Sequence, residues 1–128
     1  MATQIVIGNG SYIKIDDEFH IDWADKGNAM PALPSTLHAM IWNNLTGQNE
    51  IQNKDASTGN MNGNTNLNST NDAVGSTTVS ALLTGGETRK GEINTAISAY
   101  ETAKADDEAN DTSNASGKTW RDYDPNYS

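Results

Sequence analysis

An α+β fold follows from three features of this chain. Residues 4–23 alternate apolar and polar groups around turn residues, Leu33–Trp42 is the densest apolar run, and Ile93, Ala96, Ile97 and Tyr100 recur at spacings of three and four. Together these predict a small N-terminal antiparallel β-sheet, an extended Asn/Thr/Gly-rich arm, and a C-terminal helix or helical hairpin. The expected divisions are a β-sheet domain over 1–55, the polar arm over 56–76, a helical segment over 77–109, and an acidic tail with an aromatic terminus over 110–128.

The first strands are Gln4-Ile5-Val6-Ile7, Tyr12-Ile13-Lys14-Ile15 and Phe19-His20-Ile21-Asp22-Trp23. Asn9-Gly10 between the first two is a hairpin signal, because a type I′ turn needs positive φ at both central positions. Asp16-Asp17-Glu18 forms the second corner. Period-2 alternation places Ile13, Ile15, Phe19, Ile21 and Trp23 on faces that share one core. Ala24–Ser35 reads as a loop, since Gly27, Asn28, Pro31 and Pro34 favour turns and the prolines remove backbone donors. Leu37–Trp42 follows as a buried strand, with a turn at Asn43–Gly47 and a shorter partner at Glu50–Gln52. Strict alternation on that strand puts His38, Met40 and Trp42 on one face and Leu37, Ala39 and Ile41 on the other. The core expected on these grounds adds Leu37, Ala39, Ile41, Trp42 and Ile51 to the five earlier residues.

From Asn53 to Ser76 the composition turns to Asn, Thr, Ser and Gly, with Met61, Leu67 and Val74 almost the only large apolar groups. Such a stretch buries too little to offset its ordering entropy and is expected to be mobile until a partner orders it. Helical patterning starts near Thr77 or Thr78, either of which can cap, and passes Val79, Leu82 and Leu83 before Gly85-Gly86 weakens it. A second helical stretch carries the stripe of Ile93, Ile97 and Tyr100, suited to packing on another helix or a second copy. The tail ends in Trp120, Arg121, Tyr123 and Tyr127, residue types that carry much interface energy, and reads as a docking end.

The 128-residue chain carries a net charge of −9 and no cysteine. Repulsion from phosphate backbones argues against nucleic-acid binding, and the lack of thiols excludes disulfides, thiolate metal sites and cysteine nucleophiles. Apolar runs are short, so neither a signal peptide nor a membrane-inserted segment is expected, and synthesis in the cytoplasm follows. Asp16, Asp17, Glu18, His20, Asp22 and Asp25 form the one cluster of carboxylates and imidazole, but their spacing matches no calcium loop and a solvated corner is the preferred reading. His38 lacks a nucleophile elbow or phosphate loop beside it and reads as structural. No catalytic residue, metal or cofactor is assigned.

The order Ile21-Asp22-Trp23, Leu33-Pro34, Leu37-His38-Ala39-Met40-Ile41-Trp42, Gly47 and Glu50-Ile51 resembles a small module of tailed-bacteriophage tail and tail-fibre assembly proteins. There a strand of the form Pro, two or three residues, His-Ala, apolar, any, Trp precedes a Gly and Glu-Ile hairpin partner. The resemblance covers residues 11–55, and His38-Ala39 with Trp42 carries most of it. It implies a non-enzymatic virion structural protein, a tail or tail-fibre-associated subunit that binds other phage structural proteins and copies of itself. A transient tail or tail-fibre assembly chaperone is the alternative. A host-surface glycan-binding module with Trp23, Trp42 and Trp120 as stacking rings is the second.

Overall fold

The computed structural model describes residues 2–45, 47 and 49–127. Thr46, within the turn expected at Asn43–Gly47, and Ser128, at the end of the tail, lie outside the described residues, as do Met1 and Gln48. The architecture is α+β: a six-stranded antiparallel sheet with one long helix laid across it. Strands β1 (Gln4–Gly8), β2 (Tyr12–Ile15), β3 (Phe19–Asp22), β4 (Leu37–Asn43), β5 (Glu50–Lys54) and β6 (Met61–Asn66) stand in the order β3-β2-β1-β4-β5-β6. A two-stranded ribbon, β7 (Ala73–Val74) and β8 (Thr77–Thr78), leads into α1 (Val79–Asn110).

Residues directly opposite one another in an antiparallel ladder share a face, so the register builds the core. Ile21, Ile13, Ile7, Met40 and Ile51 form one inward row, and Phe19, Ile15, Ile5 and Trp42 a second. The four isoleucines of β1 and β2 are fully buried, and burial on this scale contributes about 1.5–3 kcal/mol per side chain. Phe19 and Trp23 pack against this cluster while remaining partly exposed.

On β4 the expected alternation is broken. Leu37 pairs with Asn53 and Ala39 with Gln52, so His38 is an extra residue that bulges outward. The bulge lets Leu37 join Met40 and Trp42 in the core. Ala39 and Ile41, expected in the core, lie half-buried on the opposite face, and Met40 takes the core position instead.

The hairpin corners also exchange roles. At Asn9-Gly10 only Gly10 has positive φ, +80°, and Ser11 N–H closes the turn on Gly8 O at 2.8 Å. Asn9 instead bolts the hairpin to the loop before β4, donating from Nδ2 to Leu37 O at 2.9 Å and Pro34 O at 3.3 Å. The pair of left-handed residues sits at Asp16 and Asp17, φ 53° and 60°, with Glu18 N–H on Ile15 O. Aspartate tolerates this region better than most residues, and the Asp16 carboxylate accepts the Thr3 and Gln4 N–H groups at 2.8 and 3.0 Å, closing the start of β1.

The extended arm is not shown. Asp55 turns the chain by accepting the Ser57 and Thr58 N–H groups, and Met61–Asn66 forms the sixth strand against β5. Backbone pairing supplies what the polar side chains do not, since all six residues of β6 are exposed. Beyond it Leu67 and Val74 plug into the core, and the Asp72 carboxylate gathers the Asn68 and Ser69 N–H groups.

Thr78 caps α1 by accepting the Ala81 N–H at 3.2 Å. The helix then runs 32 residues, about 48 Å at 1.5 Å per residue, straight through Gly85-Gly86. Those glycines, expected to weaken the helix, are where it touches its neighbours. A Cβ on Gly85 would stand 2.5 Å from Ala29 O, and one on Gly86 would press on Ile15 at 3.2 Å. The buried residues Val79, Leu82, Leu83, Gly86, Arg89, Ile93 and Ala96 make a single stripe at helical period.

Gly85→Ala is therefore expected to lower stability by about 1–3 kcal/mol, because the obstacle is backbone. Gly91→Ala, on the same helix with open space around it, is expected to raise stability by roughly 0.5–1 kcal/mol. Urea unfolding of the two variants beside the parent chain checks the contrast.

Candidate interaction surface

The helix covers one face of the sheet, and the other face is open. The same register that buries the isoleucines sends Val6, Lys14, His20, Ile41, Glu50 and Asn66 outward in one row, and Tyr12, Gly8, Ala39, Gln52 and Asn64 in the next. Between β1, β4 and the β5–β6 side these enclose an open concavity of about 700 Å³. Val6, Ala39 and Ile41 form its apolar floor, and Gln52, Asn66 and Asn68 supply amides at its rim. The Tyr12 ring lies across Gly8, where a Cβ would meet it at 2.6 Å, and meets His20 edge-on at 5.4 Å between centroids. Glycine at this position is what lets the ring lie flat along the sheet. Glu50 accepts the Asn64 amide at 3.0 Å, joining β5 to β6 on this face.

On the helix side, a set of ion pairs closes the molecule. Arg89 is fully buried although it bears a guanidinium. Its Nε donates to Asp25 O at 2.7 Å, Nη2 to Asp124 Oδ2 at 2.6 Å, and Nη1 to Glu92 Oε1 at 3.2 Å. Gly27, with φ +64°, lies against the guanidinium so closely that a Cβ there would stand 2.6 Å from it. Asp25 in turn receives both Nε and Nη2 of Arg121 at 2.7 Å, a bidentate pair. The loop after β3, the middle of α1 and the tail are thereby fastened together. Burial works against the Asp124 carboxylate, but the Arg89 hydrogen bond and the Asn126 N–H outweigh it and hold its pKa below the usual 3.8. Arg89 likewise keeps its charge, because Asp124 and Glu92 outweigh its own desolvation.

The residues expected to dock on partners fall mostly within this clasp. Ile93 is 2 % exposed and belongs to the core, since it continues the buried stripe one turn beyond Arg89. Tyr100 packs on Tyr123 with centroids 6.1 Å apart, and the Tyr123 hydroxyl donates to Asn114 O. Arg121 stacks on the Trp120 ring at 4.6 Å, and Trp120 is partly buried against the core. The tail is thus a folded return along α1 in place of a free aromatic end. Its turn is set by Asp107, whose carboxylate accepts Thr112 Oγ1 and the Ala115 and Asn114 N–H groups and is held below its ordinary pKa by them. Ile97, at 38 %, and Tyr127, at 40 %, remain exposed. Of the rings considered for sugar stacking, Trp42 is buried and Trp23 lies against the core.

The acidic residues of the β2–β3 region turn to separate partners. Asp16 serves Thr3 and Gln4, Asp17 pairs with Lys14, Glu18 with Lys90 at 3.6 Å, and Asp25 with Arg121. Among the described residues no group of three or more His, Asp or Glu is placed to hold a metal ion, and no helix is long and apolar enough to cross a membrane. Sequence reasoning missed Arg89, Asp124 and Gly8, and it placed Asp25 in a solvated corner where the structure buries it beneath Arg121. The first had a signal, for Arg89 stands seven residues after Leu82 and four before Ile93, within the apolar stripe.

Arg89→Met is expected to cost about 3–5 kcal/mol, because it strands the Asp124 carboxylate without its cation. Since the Asp124 pKa is lowered on folding, its contribution is complete above pH 3.8 and is lost as pH falls through the folded-state value beneath it. Asp124→Asn is accordingly expected to differ from the parent chain at neutral pH and to converge with it in acid. Chemical denaturation of both chains across that range checks the sign.

No protein-family model matches this chain, and neither a curated protein nor a solved structure shows significant similarity to it. The functional reading therefore rests on the two faces of the sheet and on the residue pattern of β4 and β5.

Proposed function

We propose that this chain is a non-enzymatic structural subunit of a tailed-phage particle, associated with the tail or tail fibre, which docks on neighbouring virion proteins through the open face of its sheet. The observation that carries the reading is that face itself: half-buried Val6, Ala39 and Ile41 in a concavity edged by amides, left uncovered by a helix that seals only the opposite side. An apolar floor with a polar rim is the anatomy of a protein-docking patch. The residues of the phage-module resemblance support the same reading from another direction. Ala39 lies in the floor and Glu50 at the wall, while Trp42 and Ile51 hold β4 and β5 onto the core. The net charge of −9 favours protein neighbours over nucleic acid.

The test is quantitative mass spectrometry of gradient-purified particles beside the lysate that produced them. A virion subunit is recovered at a fixed ratio to a major tail protein, whereas a chaperone stays in the lysate. Ala39→Arg fills the floor with a charge and is expected to reduce incorporation at least about tenfold, the equivalent of 1.4 kcal/mol, while leaving the folded chain intact by circular dichroism. Incorporation of Ala39→Arg at the parental ratio would remove the open face from the reading.

A further inference from the structure

We propose that Asn62-Gly63 is a self-modification site, at which the Gly63 backbone nitrogen closes on the Asn62 side chain and the isoaspartate that results loosens β6 from β5. The inference goes beyond the virion reading and does not depend on it. The chain holds two Asn-Gly pairs, at 9–10 and at 62–63. In such a pair the glycine has no Cβ to shield its backbone nitrogen from the preceding side chain. The fold treats the two pairs oppositely.

Asn62-Gly63 stands at a break in the β5–β6 ladder. Lys54 pairs with Met61 and Gln52 with Asn64, so both residues face Asn53 alone. A bulge of this kind leaves its extra residue unpaired and disrupts the ladder locally, which gives the Asn62 backbone room to turn. Gly63 has φ +83°, and nothing lies within 4 Å of where its Cβ would stand. Asn62 is exposed, and among the described residues its side chain makes no hydrogen bond, whereas the Asn53 and Asn64 amides are held by Thr65 and Glu50. Asn9 is the counterpart. Its Nδ2 donates to Leu37 O at 2.9 Å and Pro34 O at 3.3 Å, and its backbone N–H to His38 O at 3.1 Å. Ring closure at Asn9 must first break this anchorage; the Asn62 side chain has none to break.

The chemistry needs only water and its hydroxide. Base removes the Gly63 amide proton, the nitrogen bonds to Asn62 Cγ, and the Cγ–Nδ2 bond breaks as the side-chain nitrogen takes up a proton and leaves as ammonia. Water then opens the cyclic imide. Cleavage between the nitrogen and Cγ gives aspartate. Cleavage between the nitrogen and the Asn62 backbone carbonyl carbon gives isoaspartate, in which the chain runs through Cβ and Cγ and is longer by a methylene. Either product adds a negative charge to a chain already at −9, and the longer backbone no longer matches β5. The strand leads directly to Asn66, Leu67 and Asn68, which line the concavity, and Leu67 N–H donates to Asn49 O at 2.9 Å. Conversion therefore unsettles one side of the concavity while β1 and β2 keep their pairing.

The full chain, aged in warm, mildly alkaline buffer and mapped by peptide mass spectrometry, is expected to convert Asn62 at least about tenfold faster than Asn9, because breaking the Asn9 hydrogen bonds adds to its barrier. In urea the two rates are expected to converge, since both sites are then Asn-Gly in an open chain. Asn62→Gln would have to close a larger ring and is expected to show no conversion at that position. Amide hydrogen exchange over residues 61–66 is expected to quicken with age in the parent chain and to stay constant in Asn62→Gln. The proposal is overturned by a folded chain in which Asn9 converts as fast as Asn62, by a ratio of rates that unfolding leaves unchanged, or by β6 exchange that ageing alters no more in the parent chain than in Asn62→Gln.

Discussion

The buried guanidinium of Arg89 is the constraint around which the rest of this molecule is arranged. An arginine at a core position of a helix is tolerated only when its donors are matched, since an unpaired buried charge costs several kcal/mol. Here three separate parts of the chain supply the acceptors: the Asp25 carbonyl from the loop after β3, Glu92 from the helix itself, and Asp124 from the tail. Replacement of such a network by apolar groups is often neutral for stability. What the network supplies is a shared anchor, for it ties loop, helix and tail together at one point. Gly27 follows from the same requirement, because a side chain there would collide with the guanidinium.

That placement decides which face of the sheet stays free. With α1 pinned across β1 and β2 and the tail folded back along α1, every long element of the C-terminal half lies on one side. The outer face keeps only what the strands bring to it: Val6, Ala39 and Ile41 amid amides, with Tyr12, Lys14, His20 and Glu50 around them. The β4 bulge at His38 sharpens the division by moving Leu37 inward while Ala39 and Ile41 remain outside. The result is an open, concave sheet surface backed by a rigid core, and it is on this surface that the proposed docking rests.

Much of the fold was legible because it depends on local pattern. The strands within 4–22 follow from alternation and turn residues, Leu37–Trp42 from its apolar density and Glu50–Gln52 as its partner across a turn, and of the two threonines able to cap the helix Thr78 is the one that does. What escaped has a physical cause in each case. Gly85-Gly86 carries low helix propensity, yet propensity yields to packing where the helix must approach Ala29 O and Ile15. Residues 61–66 offer almost nothing to bury, and the ladder with β5, which composition does not reveal, holds them. The bulge at His38 parted Leu37 from Ala39 and Ile41, bringing Leu37 to the core face of Met40 and Trp42 and leaving the other two on the outer face. The clasp joins residues separated by 35 to 96 positions, and only Arg89 left a trace, as a charge inside an apolar stripe. The open face was hidden for a related reason, since it exists only once the helix has been assigned to the other side.

The most direct test of this account is amide hydrogen exchange of the full chain, followed by mass spectrometry, over residues 118–127 and 23–30. If Arg89 fastens tail, loop and helix as described, both segments are protected well beyond the unfolded rate, and both lose protection together in Arg89→Met while β1 and β2 keep theirs. Exchange of residues 118–127 at the unfolded rate in the parent chain would contradict the account, for the tail would then be free, and the division of the molecule into a sealed face and an open one would lose its cause.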